Sequence, residues 1–173
     1  MSGALVVIVL VALERLGELI YSAKNTKSLR TRGAMEVGRA HYPLIVLLHA
    51  VWLLSLVIFL PKPALLHWNW LAVFIMLQAF RVWVLVSIGR YWTTRILTLP
   101  DAPLVRRGPY RFLRHPNYMV VVGEIAVLPL ALGEIGVAIV FSILNGLMLA
   151  WRISVEDQAL AVRRDSARVA LDT

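Results

Sequence analysis

The chain has 173 residues, enough for one domain, and is 60% hydrophobic with a mean hydropathy of +0.75, well above the roughly 45–50% apolar content of soluble domains. Only 16% of residues are charged, yet the net charge is +8. The basic residues fall between apolar runs, which points to loops facing anionic headgroups and argues against a nucleic-acid partner. Without cysteine, disulfides, thiol nucleophiles and cysteine-zinc sites are excluded.

Residues 4–21 form the first candidate span, apolar until Glu14, Arg15 and Glu18. No basic n-region or clear cleavage site accompanies it, so it reads as a retained helix and not as a signal peptide. The second span, 42–60, is closed by Pro61 and Pro63, and the third, 65–88, contains Gln78 and Arg81. The fourth, 118–132, is short, carries Glu124 and Pro129, and ends at Gly133; the fifth covers 135–151. No proline follows it, so the last helix is expected to run on past Trp151.

Orientation follows from the loops. Lys24, Lys27, Arg30, Arg32 and Arg39 lie between spans one and two, whereas Lys62 alone lies between two and three. Arg90, Arg95, Arg106, Arg107, Arg111 and Arg114 precede span four, and Arg152, Arg163, Arg164 and Arg168 follow span five. Every second loop is basic. The expected fold is therefore an all-α integral membrane protein of five transmembrane helices, N-terminus outside and C-terminus cytoplasmic. It is one unit over 1–173: three helices in 1–88, a cytoplasmic loop over 89–117, a helical hairpin over 118–151 and a cytoplasmic helix and tail over 152–173.

Charges inside such spans cost about 2.5–3.5 kcal/mol each at a lipid-facing helix centre on insertion scales, so they should face one another or a wet cavity. Arg81 is expected to pair with Glu14 or Glu18, while Glu124 is either structural or site-lining. The aromatic residues of span three (Trp68, Trp70, Phe74, Phe80, Trp83) serve as packing, as an interface belt, or as the lining of a lipid path.

Two polar clusters fall on the cytoplasmic side. Residues 108–118 read GPYRFLRHPNY. Pro116 suits the first turn of a helix, which sets Arg114 and His115 at its mouth, where free N–H groups favour an anion. In the second cluster Arg152 and Glu156 stand four apart on one helix face, with Asp157 adjacent. A simple surface salt bridge would explain that pair as well. No nucleophile elbow, Walker loop or dinucleotide fingerprint is present, and one histidine near the clusters does not make a metal site.

Together, GPY (108–110), RHPNY (114–118) and R-x-x-x-E-D-x-x-L (152–160) resemble the isoprenylcysteine carboxyl methyltransferase and phospholipid methyltransferase superfamily, over roughly residues 80–162. The stretch 90–118 most resembles its small bacterial branch, some members of which O-methylate alkylresorcinols or alkylpyrones. The resemblance implies S-adenosylmethionine as cofactor and a lipophilic acceptor that enters from the bilayer of a bacterial inner membrane, with the active site facing the cytoplasm. It implies that His115, Tyr118 and Arg114 help hold the cofactor. Leu104, Val105 and Tyr110 would enclose the adenosyl group, and Glu156 and Asp157 would accept hydrogen bonds from its ribose or ammonium. Arg152 would face the acceptor oxygen, and Glu124 or Glu156 would act as base for a phenol.

This chain departs from the prenylcysteine enzymes at Val120, where they have glycine (Gly123 comes later), and in its Glu156-Asp157 pair and its tail. Those changes favour a phenolic or isoprenoid lipid over prenylcysteine. Two rival readings remain at the level of sequence: an NADPH-dependent enzyme like the sterol reductases, which carry a similar RHP string, and a non-catalytic membrane adaptor.

Overall fold

The computed structural model describes residues 2–99 and 107–169, with backbone only from 159. In chain order it contains α1 (Gly3–Thr31), β1 (Met35–Val37), α2 (His41–Ile58), α3 (Trp68–Ile88), β2 (Ile96–Thr98), α4 (Pro116–Ala131) and α5 (Ile135–Val169), with 3-10 turns at Gly89–Tyr91 and Gly108–Arg111. Among the described residues, three segments are long and apolar enough to cross a membrane: His41–Ile58, Trp68–Tyr91 and Ile135–Gln158. α4 is shorter, at 16 residues. Leucines, isoleucines and valines on the outward faces, Leu10, Leu47, Val82, Ile143 and Leu147 among them, are exposed, as lipid contact requires and a soluble bundle would not tolerate. The chain is a helical membrane protein.

One apolar cluster joins Ala4, Ile8 and Val11 of α1, Trp52 and Leu56 of α2, Phe74 of α3, Ile125 and Leu128 of α4, and Val137 and Phe141 of α5. These come from the starts of α1, α3 and α5 and the ends of α2 and α4, so successive helices alternate in direction. The opposite end of the bundle collects the charged residues. α1 extends ten residues beyond the expected end at Tyr21, because 22–31 contains neither glycine nor proline. It stops at Gly33, with φ +89°, where Gly33 N–H bonds the Arg30 carbonyl and Ala34 N–H the Leu29 carbonyl, both at 3.0 Å. That left-handed glycine cap satisfies the last carbonyls.

A two-stranded sheet was not anticipated by hydropathy. β1 and β2 pair antiparallel, with Glu36 opposite Leu97, and so tie the loop after α1 to the loop after α3. Three-residue strands leave too short a trace for periodicity to detect. Charge fastens the pair: Arg95 donates to Glu36 at 2.5 Å and Arg30 donates to its other oxygen. Burial resists ionisation of Glu36, but these two guanidiniums outweigh it and hold the carboxyl below its usual range.

At the apolar end Glu134 begins α5, its side chain buried and both oxygens without a partner among the described residues. Burial pushes its carboxyl up to about 7. A folded-state pKa above the unfolded one stabilises at low pH, so this contribution shrinks as pH rises from about 4.5 through 7. The difference in melting temperature between the native protein and Glu134→Gln should therefore change sign or grow in favour of the glutamine between pH 5.5 and 8. A pH-independent difference would refute the assignment.

Candidate active site

The polar end is assembled by two local devices. Gly108 has φ +56°, and a Cβ there would meet Ser87 Oγ at 2.0 Å. Only glycine lets the turn at 108–111 lie directly on the end of α3, where Arg107 Nε also donates to the Ser87 carbonyl at 2.6 Å. Pro116 then opens α4, with His115 at its N-cap, as expected for proline at the first helical position. Gly123 permits close approach of α4 to α3, since a Cβ would meet the Leu77 methyls at 2.9 Å.

Tyr118 is the centre of the arrangement. Its hydroxyl accepts from Arg152 Nε at 2.8 Å and donates to Glu156. The helix-surface salt bridge that the Arg152/Glu156 spacing allowed is not formed; the phenol stands between them. Arg152 Nη2 donates to the Thr94 carbonyl at 2.8 Å, which fixes the guanidinium in a plane. His115 stacks on the Tyr118 ring at 5.3 Å and 16°. Its two nitrogens lie 3.9 Å from Glu156 and 3.8 Å from Asp157. Tyr110 is half-buried on the turn before α4, and burial and then the Glu156 carboxylate push its phenol up to about 12. Side-chain exposure rises from 21% at His115 to 28% at Glu156 and 54% at Asp157, while Arg152 is 7% exposed. The carboxylates therefore face the surface and the cation faces inward.

Inward lies a cavity of about 260 Å³ bounded by α1, α2, α4 and α5, and both Tyr118 and Arg152 line it. Aliphatic side chains share its remaining wall with the charged Arg15, Glu18 and Arg81, and Asn117, Asn145 and His49 also reach it. The Asn117 Oδ1 is buried without a partner among the described residues, and Asn145 is 2% exposed. Leu16 of α1 and Ala50 of α2 line the cavity and are exposed, which marks the side between these two helices as its open side.

The site residues read from sequence divide accordingly. His115, Tyr118, Tyr110, Arg152, Glu156 and Asp157 come together. Arg114 points outward and is exposed. Leu104 and Val105 lie outside the described residues. Glu124 stands six residues beyond Tyr118, about 9 Å of helix rise, and is absorbed elsewhere: Arg81 Nη1 donates to it at 2.7 Å and Arg15 Nη2 at 3.3 Å. Arg81 also binds Glu18, with 2.5 Å from Nη2, and Arg15 Nη1 reaches Glu18 at 3.0 Å. Arg81, Arg15 and Glu18 of this quartet close one side of the cavity, while Glu124 is bonded by both guanidiniums and absent from the cavity lining, which leaves it tying α4 to α1 and α3. Of the roles open to the aromatic residues of α3, the lipid path is not the one taken: none of Trp68, Trp70, Phe74, Phe80 and Trp83 lines the cavity. Phe74 belongs to the apolar core and Phe80 packs edge-on to Trp83.

Sequence reasoning missed the bridging role of Tyr118, the Thr94 carbonyl, the part of Arg15 and both asparagines. Asn145 had a signal, since seven residues before Arg152 places it on the same face of α5. The Thr94 carbonyl had none.

The model of the isoprenylcysteine carboxyl methyltransferase (ICMT) family matches residues 70–162, which contain every element of this constellation apart from α1 and α2. The chain is 38% identical over 158 residues to the uncharacterized protein YpbQ of Bacillus subtilis, covering 88% of this chain and 94% of that one. It is 27% identical over 152 residues to an uncharacterized protein of Haemophilus influenzae, covering 85% and 88%. No solved structure matches. His115, Tyr118, Arg152, Glu156 and Asp157, which meet around Tyr118, all lie within that match, and this chain belongs to the isoprenylcysteine carboxyl methyltransferase family.

Proposed function

We propose that the protein is an S-adenosylmethionine-dependent methyltransferase that transfers a methyl group to an oxygen of a lipophilic acceptor, carboxylate or phenol/enol, such as an isoprenoid or an alkylresorcinol or alkylpyrone lipid. It crosses a bacterial inner membrane five times, N-terminus outside, with the site open to the cytoplasm. The observation that carries this reading is that Tyr118 and Arg152 belong at once to the surface-facing group of His115, Glu156 and Asp157 and to the wall of the lipid-facing cavity. A water-soluble cosubstrate and a bilayer-soluble one can therefore meet at one pair of side chains.

The donor set fits the cofactor. Glu156 and Asp157 offer carboxylate acceptors for ribose hydroxyls and an ammonium group, and the stacked His115 and Tyr118 rings present an aromatic face to a sulfonium. When bound, the cofactor supplies an electrophilic methyl group, leaving as S-adenosylhomocysteine when the C–S bond breaks and the new C–O bond forms. Arg152 orients the acceptor oxygen and favours its anionic form. A phenolic acceptor needs a base, and Glu156, hydrogen-bonded to Tyr118, can take that proton by way of the Tyr118 hydroxyl, which lines the cavity. At about 260 Å³ the cavity falls just below the usual range of ligand pockets, about 300–1,000 Å³. It would therefore hold the acceptor's head while the tail leaves between α1 and α2, past Leu16 and Ala50.

Calorimetric titration of the detergent-solubilised protein with S-adenosylhomocysteine tests the cofactor. Micromolar binding should weaken at least about tenfold in Glu156→Ala, the loss of one charge-assisted hydrogen bond of about 1.5–3 kcal/mol. Correctly folded protein that does not bind the compound at all would rule the reading out.

A further inference from the structure

The connection between α1 and the paired strands contains a second feature, which shares Tyr42 with the cavity wall but is independent of the methyl-transfer reading. A cleft of about 530 Å³ is lined by Lys27, Arg30 and Arg95 together with the hydroxyl side chains of Ser22, Thr26 and Tyr42. Among the described residues no carboxylate lines it. Glu36 sits behind, its side chain 2% exposed, and engages one nitrogen of Arg30 and one of Arg95, so each guanidinium keeps further donors. Arg39 also approaches Glu36, at 3.7 Å. Arg95 lies flat on the Tyr42 ring, 3.8 Å from its centroid, which holds it at the cleft edge. Lys27 is exposed and forms no ion pair among the described residues. Three cations around one buried carboxylate leave the cleft strongly positive, as a site for a phosphate monoanion requires.

What lies beyond the cleft says which kind of phosphate. Leu13, Leu16, Ile20, Ala23 and Lys27 alternate at three- and four-residue steps, so they form one stripe of α1. Leu13, Leu16 and Ile20 are 59%, 54% and 63% exposed, and Ala23 lines the cleft beside Lys27. From Leu16 to Lys27 the helix rises about 16 Å, close to half of a hydrocarbon core of about 30 Å. An apolar track one leaflet deep thus leads into a basic, hydroxyl-lined cleft.

We propose that this cleft binds the phosphate of an anionic glycerophospholipid, whose acyl chain lies along the α1 stripe. Lys27 is the ligand least tied to the fold and is the residue to change. The full chain, purified in detergent, is titrated with phosphatidylglycerol and with phosphatidylcholine, and bound lipid is counted by native mass spectrometry. The native protein should retain phosphatidylglycerol in preference. Lys27→Ala should weaken that preference about fivefold, the effect of about 1 kcal/mol for one basic residue near an anionic surface, without a change in melting temperature. Ala23→Trp, which fills the cleft without touching a charge, should weaken it too. Equal retention of both lipids by the native protein, or a preference unchanged in both variants, would overturn the proposal. Soluble glycerol phosphate is added against sodium chloride of equal ionic strength. Displacement by glycerol phosphate beyond the salt control would also overturn it, because the site would then serve a soluble phosphate and not a lipid.

Discussion

Arg152→Ala should reduce kcat/KM for the lipid acceptor by about a hundredfold or more, with affinity for S-adenosylhomocysteine changed only a few-fold. The guanidinium is held from two directions, by the Tyr118 hydroxyl and the Thr94 carbonyl, both at 2.8 Å. Its remaining edge is presented to the cavity. Removing it frees the acceptor oxygen from its alignment, and displacements of about 1 Å can cost about 10² in rate when in-line geometry matters. It also removes the positive charge that favours an ionised acceptor. For a phenolic acceptor the residual activity of the variant should therefore rise with pH over a range where the native enzyme is flat. Lysine should rescue little, because a point charge cannot reproduce two divergent N–H bonds and a planar third face. The carboxylates of Glu156 and Asp157 stay in place, which is why cosubstrate binding survives. A variant with the native rate, or one that loses the cosubstrate as fully as the acceptor, contradicts the assigned role.

Arg81→Leu should cost about 3–5 kcal/mol of stability, seen as a fall in melting temperature in detergent. Arg81 is 5% exposed and is shared by Glu18 and Glu124. Its loss leaves two buried carboxylates with Arg15 alone between them. Breaking such a network is far worse than never having built it, since the unpaired charges keep their full desolvation penalty. The triple variant Arg81→Leu, Glu18→Leu, Glu124→Leu, with Arg15 still beside Glu14 at 3.4 Å, should therefore recover most of the lost stability. Its acceptor KM should nevertheless change, because Arg81, Glu18 and Arg15 line the cavity. If the single variant melts like the native protein, the quartet is not what joins α1, α3 and α4 at this end.

Much of the framework was legible before any coordinates. The apolar runs located the helices to within a few residues at most ends, because exclusion from water acts on whole segments and leaves a long signal. The strings around His115 and Arg152 named most of the residues that meet. They are short and dense in polar groups, and Pro116 enforces one local geometry. α1 runs on to Thr31, capped by Gly33, because propensity and a glycine cap set a helix end while hydropathy sets only where the lipid contact ends.

From its amino acids alone the chain is committed to a membrane, to alternating helices and to a polar group at one end, since burial of apolar surface and the cost of charge in lipid are properties of composition and order. Which polar groups touch was decided only by the tertiary structure. Glu124 and Glu156 are both acidic residues on helices near the same end, yet one is neutralised by Arg81 and Arg15 and the other shares the hydroxyl of Tyr118. That choice depends on how far each helix is rotated about its own axis, and rotation is fixed by contacts such as Gly108 on Ser87 and Gly123 on Leu77. Close packing of that kind is a matter of distances between segments remote in the chain, and no local pattern encodes them.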